Sequence, residues 1–320
     1  MSQTKATPSV LSATDMVAAL GVILIWGSNF VAMKFALRDF TPFQMGAARY
    51  LVAALPLVFF IKPPAMPWKW VVLYGLFQGV GQFGFLFLAL QAGMTASLAS
   101  VLMQTHVFFT ALFSFVLLRE RLNPPLIGGL VLAALGLACF ALNFVARPEV
   151  VAVTVAGFVL NLCGAAMWAM SNIVARKAQG AAPAFEPLPF LVWSSTVPVL
   201  PFVALSWAFD PSPASGLGWL EPTKWASVPL SSWLSVLFLG WVATILAYTL
   251  WTGLLKRHTA NRVAPFSLGV PVVGLSAGMW LLGEQLQPLQ WAGIALVVCA
   301  LACVMLGDRV AIWTRARMKA

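Results

Sequence analysis

Ser28-Asn29-Phe30-Val31-Ala32-Met33-Lys34 and Ser171-Asn172-Ile173-Val174-Ala175-Arg176-Lys177 nearly repeat each other, and each falls late in a long apolar run, one in each half of the chain. A second pair lies downstream in the same order. Leu118-Arg119-Glu120-Arg121-Leu122-Asn123-Pro124 matches Leu282-Gly283-Glu284-Gln285-Leu286-Gln287-Pro288, and each is followed by an apolar run ending near a cysteine, Cys139 or Cys303. Two landmarks in register in both halves point to an internal duplication. The repeat is too long for a solenoid unit, so the reading is two equivalent half-domains, 15–147 and 148–307, between a polar tail 1–14 and a basic tail 308–320.

Composition sets the class. The hydrophobic share is 61% and the charged share 9%, against roughly 45–50% and about 25% in soluble domains. A water-soluble fold of this length could not cover so much apolar surface, whereas side chains facing hydrocarbon need no further cover. Apolar windows of bilayer-crossing length, roughly 17–25 residues, fall at about 17–36, 43–61, 70–90, 96–118 and 125–145. They recur at about 153–175, 188–209, 231–252, 261–282 and 288–306. The expectation is an all-α polytopic membrane protein of ten transmembrane helices. Pro56, Pro198, Pro201, Pro265 and Pro271 lie inside windows, which helices in lipid tolerate where neighbours or hydroxyls satisfy the freed carbonyls. The first run lacks a small-residue cleavage site and is expected to remain as a helix. The longest connection, Asp210 to Pro229, is expected to carry an interfacial turn or short helix.

Five helices per repeat is an odd number, so the second repeat is expected to enter the membrane with opposite orientation, an inverted duplication. In such carriers substrate sits near the midplane between the halves and access alternates around it. Lys and Arg in the connections orient the chain. Lys62, Lys69, Arg119, Arg121, Arg176, Lys177, Lys256, Arg257, Arg262 and the tail cations share one side with the N-terminus, against Lys34, Arg38, Arg147 and Lys224 on the other. Both termini are therefore expected inside. The net charge of +10 is spread over several turns with no base-reading module, so nucleic acid is not an expected partner.

The runs Ala99-Ser100-Val101-Leu102, Phe108-Phe109-Thr110, Glu120-Arg121-Leu122, Arg262-Val263-Ala264-Pro265 and Pro271-Val272-Val273-Gly274-Leu275 resemble the EamA family of the drug/metabolite transporter superfamily over nearly the whole chain. Tyr74-Gly75-Leu76, Gln82-Phe83, Phe85-Leu86-Phe87 and the segment from Arg262 to Leu275 are similar to members that export O-acetylserine and cysteine. The resemblance implies an exporter of small metabolites in the bacterial inner membrane, with amino acids of the cysteine pathway as substrates. Drugs, purines or other amphipathic metabolites are the alternative. The partners expected are a small-molecule substrate and membrane lipid, with room for a homodimer.

Polar residues inside the windows mark the candidate site, because a polar group facing lipid is costly and usually faces a cavity or a partner. Gln104-Thr105-His106 is central in the fourth window, opposite a local break expected at Gly269-Val270-Pro271. His106 reads either as a structural hydrogen-bonder or as a lining residue. Gln78 and Gln82 fall one turn apart on one face of the third window, beside Gly75 and Gly79, which permit close helix approach. They read as interhelical glue or as amides for a zwitterionic substrate. Asn29 and Asn172 read either as packing between the first and sixth helices or as gating and substrate contacts. Trp26, Trp168, Tyr248 and Trp251 could form an aromatic wall, while Trp68, Trp70, Trp233 and Trp313 read as interfacial anchors. Arg49, within a window, either snorkels to the outer interface or captures a substrate carboxylate.

Glu120 and Glu284 are expected to cap the helices that follow them, the fifth and the tenth. Cys139, Cys163, Cys299 and Cys303 are expected to pack in the core, and His258 to sit solvated in a basic turn. No carboxylate is expected in mid-membrane, so proton coupling would rest on His106, with passive gradient-driven export as the other course. There is no Gly-x4-Gly-Lys-Ser/Thr loop for ATP, no metal-ligand spacing, and no nucleophile with a base. Enzymatic activity, cofactors and metals are therefore not expected.

Overall fold

The computed structural model describes residues 12–119, 124–146, 154–182, 185–210, 222–258, 263, 266–267 and 269–317. Among these residues the chain is helical throughout, without strands. Eight helical segments are long and apolar enough to cross a bilayer: α1 Ala13–Ala36, α2 Pro42–Phe59, α3 Trp68–Gln91, α4 Ala96–Leu117, α5 Pro124–Leu142, α6 Val155–Ala181, α7 Pro187–Phe209 and α8 Leu230–Trp251. Helix α9, Gly269–Leu282, is apolar but shorter, as is the stretch Pro288–Val304 that opens α10, which continues to Arg317. A short helix, Pro222–Ser227, precedes α8. Glu120, Pro265 and Arg262 lie outside the described residues.

Several helix starts are written in polar side chains. Ser12 and Asp15 form a capping box on α1, and Thr41 and Gln44 form another on α2, with Pro42 at the first helical position. Thr154 accepts from the Gly157 amide at the start of α6. Such caps satisfy amides that have no partner within the helix. Inside α7 the chain turns at Val197–Pro198, and Ser194, Ser195 and Thr196 turn their hydroxyls back onto the carbonyls of Phe190, Leu191 and Trp193. Hydroxyls in this position keep the backbone satisfied around a proline that cannot donate.

Large apolar side chains face outward, including Val17, Leu200, Trp207 and Trp280, as a surface against lipid requires. Inside, Met33, Phe87, Leu98, Met103 and Phe202 belong to one main core. The packing is reciprocal between the halves. α1 packs on α8 and α9 of the second half, α6 packs on α3 and α4 of the first, α2 pairs with α7, and α5 pairs with α10. Neither half buries its helices alone. Helices α3 and α8 each carry a nine-residue π-helical segment, Gly75–Phe83 and Phe238–Leu246.

Small residues set the close crossings. A Cβ on Gly75 would lie 2.6 Å from the Ser194 carbonyl oxygen, and one on Gly79 would lie 1.9 Å from Pro198 Cγ, so α3 and α7 touch nearly backbone to backbone. Gly240 in α8 meets α2 in the same way, 3.0 Å from the Arg49 carbonyl oxygen. Without a hydrophobic drive between helices in lipid, such close van der Waals fits carry much of the association.

Three sequence expectations are corrected. Glu284 does not cap α10; it accepts from the Ala96 and Ser97 amides at 2.7 and 2.8 Å and caps α4 across the half boundary, while Gln290 takes the Gln287 amide beside the start of α10. The reason is proximity, since the left-handed turn at Gly283 (φ 67°) leads the carboxylate back toward four orphan amides of another helix. Cys299 is exposed rather than packed in the core, whereas Cys139, Cys163 and Cys303 are half-buried. His258 is not solvated: it is 8% exposed and donates from Nε2 to Asp15 Oδ2 at 2.8 Å. Asp15 is already held by the Ser12 cap, so the pair ties the helical run that continues α8 to Arg257 to the start of α1. The variant His258→Ala is expected to cost about 1–3 kcal/mol of stability, because it removes a buried hydrogen bond to a carboxylate. A melting curve of purified protein in detergent reads this; an unchanged midpoint would mean the pair contributes nothing.

Candidate functional site

Between the halves lies a cavity of about 300 Å³ whose wall includes Trp26, Arg49, Gln82, Gln104, His106, Trp168, Asn172, Tyr248 and Trp251. Three departures from α geometry shape it. The π-helical segments of α3 and α8 supply Gln82 and Ala243, in keeping with the frequent use of π bulges at functional sites. Helix α4 tightens into a 3-10 turn at Met103–Thr105, which leads into the helical run that starts at His106.

His106 and Trp168 stack with ring centroids 3.7 Å apart and planes 13° from parallel. The His106 Nδ1 lies 3.0 Å from the Met103 carbonyl oxygen. A carbonyl only accepts, so Nδ1 carries the proton and Nε2 of a neutral ring is left as an acceptor. Gln104 donates from Nε2 to the Ser267 carbonyl at 3.1 Å. The break expected at Gly269-Val270-Pro271 is therefore realised as the start of α9 at Gly269, and the carbonyl it frees nearby serves Gln104 rather than His106. Asn172 donates to Thr110 Oγ1 at 3.2 Å, which joins α6 to α4 instead of to α1.

Trp26, Tyr248 and Trp251 form a second aromatic group, with Trp26 centroids 5.0 and 5.6 Å from the other two. The Trp26 indole N–H is bound to the Ala243 carbonyl at 3.1 Å. Tyr248 Oη accepts from Gln78 Nε2 at 3.1 Å, and Gln78 Oε1 accepts from the Ser171 hydroxyl at 2.7 Å. Gln78 and Gln82 are both buried but line different spaces, which share Arg49, Tyr74, Phe83 and Tyr248 in their walls. Gln82 lines the main cavity, whereas Gln78 lines an adjoining space of about 10 Å³, room for about one water.

Arg49 does not snorkel. It is 1% exposed, donates from Nη2 to Thr244 Oγ1 at 3.1 Å, and lies over the Phe83 ring at 3.9 Å. It borders both spaces, and neither wall contains an acidic residue. Asn29 is buried in α1 with its Oδ1 unpartnered and is not part of the cavity wall. Thr244, Ser171, Thr110 and Tyr74 were not singled out from the sequence as site residues. The rule that finds His106, a polar group inside an apolar window, points equally to Thr244 and Ser171.

A helical membrane protein with a central cavity fits many carriers, and comparison with known proteins decides among them. The EamA-like transporter family matches twice, over residues 14–142 and 155–306. The chain belongs to the EamA-like transporter family. Its relatives include a "probable amino-acid metabolite efflux pump" of Salmonella typhimurium, 36% identical over 94% of this chain and 97% of that one. A protein of the same description from Escherichia coli is 34% identical over 96% and 98%. A solved crystal structure overlays this EamA transporter with a TM-score of 0.60 at 20% identity, covering 93% of this chain and 99% of that one, a likeness of fold. The EamA cavity is at the small end of ligand pockets, roughly 300–1,000 Å³, so it suits a small metabolite.

Proposed function

We propose that the protein exports small amino-acid-type metabolites, those of the cysteine pathway first among them, by alternating access across the bacterial inner membrane. The observation that carries this reading is the cavity itself, built from helices of both halves, with aromatic walls and polar groups suited to a compact solute. Ten transmembrane helices in two inverted five-helix repeats are part of the proposal. Reciprocal packing supports it: α1 with α8 and α9 mirrors α6 with α3 and α4, and the π-helical segments fall in the third and eighth helices. The double family match supports the duplication, and the relatives' descriptions support amino-acid metabolites.

The loop cations support both termini being cytoplasmic. With that orientation Trp251, Ser267 and Val270 line the cytoplasmic half of the cavity. The outer ends are tied by Glu284 on the α4 amides, Asp39 with Ser232 at 2.5 Å, and Thr41 with Asp210. Gln82, Gln104, His106 and Asn172 orient the solute, and Trp26, Trp168, Tyr248 and Trp251 enclose it. A flat purine or aromatic drug is a second reading, favoured by those four rings.

The test is counterflow in proteoliposomes with cysteine and O-acetylserine, alongside a purine and an aromatic cation. Cysteine or O-acetylserine is expected to exchange, and overexpression is expected to protect cells from an excess of either. Exchange of only the purine or the drug would replace this reading with the second.

A further inference from the structure

Among the described residues, no acidic side chain meets the positive charge of Arg49. It is 1% exposed, and a guanidinium keeps its charge in protein interiors. Burying an ion costs several kcal/mol unless a counter-charge and hydrogen bonds offset it. Here Thr244 Oγ1 takes one N–H and the Phe83 ring covers one face. Nε and Nη1 have no partner. The acidic side chains that the described residues show lie elsewhere: Asp15 with His258, Asp39 with Ser232, Asp210 with Thr41 and Ser206, Glu284 with the α4 amides, and Glu186 in the wall of a separate pocket with Lys62.

The position breaks the symmetry of the fold. α2 and α7 both begin at a proline, Pro42 and Pro187, and counting equally from each brings Arg49 opposite Ser194. A structural role common to both halves would not need a cation in one and a hydroxyl in the other. The cavity wall also offers acceptors and aromatic faces. Gln82 Oε1 has no donor, His106 leaves Nε2 as an acceptor once Nδ1 is bound to Met103, and the Trp26, Tyr248 and Trp251 rings present π faces. Acceptors and aromatic faces suit an ammonium group.

We propose that Arg49 is the anion anchor of the cavity, and that the site takes free α-amino acids with the carboxylate on the Arg49 guanidinium and the ammonium against Gln82, His106 and the Trp26–Tyr248–Trp251 rings. The bound carboxylate supplies the missing counter-charge and accepts from N–H groups that are otherwise unsatisfied. The free acid is thus distinguished from its ester or amide, which keep the ammonium and lose the anion. This rests on the reading of the cavity as the substrate site of an amino-acid exporter and adds the group by which the substrate is recognised.

The experiment is counterflow in proteoliposomes of the full chain with L-cysteine and O-acetyl-L-serine, each competed by its own unlabelled acid or by its methyl ester. In the wild type the acid is expected to compete about 10- to 100-fold better than the ester, the worth of a charge-assisted contact. Arg49→Gln is expected to lose that preference, weakening the acid while leaving the ester nearly unchanged, and Arg49→Lys to restore part of it. Size-exclusion profiles show whether each variant is folded, and the wild-type comparison of acid with ester stands without any variant. Equal competition by ester and acid in a wild type that exchanges cysteine would overturn the anchor while leaving amino-acid export intact. Full acid preference in folded Arg49→Gln would do the same. Failure of both compounds to exchange, with a purine or drug exchanging instead, would sink the export reading and the anchor together.

Discussion

His106→Ala is expected to reduce transport by roughly 5- to 150-fold, the worth of one good polar contact of about 1–3 kcal/mol, while folded protein stays in the membrane. The ring lies on Trp168 at 3.7 Å and is fixed by its Nδ1 contact with the Met103 carbonyl, so it reaches the cavity in one orientation. Its hydrogen bond is to the preceding turn of α4, so removing the ring breaks no hydrogen bond between the halves, although it loses the stack on Trp168. Gln82→Ala is expected to behave likewise, since Gln82 Oε1 has no protein partner to lose. His258→Ala is not a suitable control, because His258 is buried against Asp15; Val17→Ala, on an outward position 70% exposed, is. Normal transport by His106→Ala at equal abundance would make the residue structural and exclude proton coupling through it. A variant that transports but has lost a pH response present in the wild type would identify His106 as the coupling group.

Gly79→Leu is expected to cost the protein its fold, with little protein recovered from the membrane. A Cβ at Gly79 would lie 1.9 Å from Pro198 Cγ and 2.7 Å from its Cβ. The proline ring has no flexible end to move aside, so α3 and α7 must separate. Gly79→Ala is expected to cost about 1–3 kcal/mol, and Gly79→Leu more, as overpacking does where the backbone must shift. Gly21→Ala is the counterpart. Nothing lies within 4 Å of a Cβ there, so alanine is expected to be neutral or to stabilise α1 by up to about 1 kcal/mol through helix propensity. Thermal melts in detergent read both. A Gly79→Ala variant as stable as Gly21→Ala would show that the α3–α7 crossing is looser than its geometry implies.

Much of the site was legible because burying a polar group in hydrocarbon is costly enough to be informative on its own. Gln82, Gln104, His106 and Asn172 were found by that rule, and all four line the cavity together with Arg49, Trp168 and Tyr248. The rule marks a residue without naming its partner. It therefore left Asn29 and Asn172 as a matched pair, although Asn172 reaches Thr110 and Asn29 stays outside the cavity wall. It also could not see that Glu284 crosses to α4 or that His258 reaches Asp15, since those partners are separated by long stretches of chain and meet only through packing.

Composition and the repeated landmarks were sufficient by themselves to establish a helical membrane protein and to suggest that it is duplicated. Hydrocarbon imposes one requirement on every span, an apolar run with its backbone satisfied internally, and that requirement is written locally. The sequence is silent on which way each helix faces. In water an apolar stripe points to the core, but in lipid the outward face is apolar too, so periodicity no longer distinguishes inside from outside. Tertiary structure alone decided that α1 packs on α8 and α9, that π-helical turns open α3 and α8 beside the cavity, and that Arg49 is buried beside Thr244 with no counter-charge among the described residues. Those outcomes depend on glycine crossings and single hydrogen bonds between distant residues, whose fit exists only once the helices are assembled.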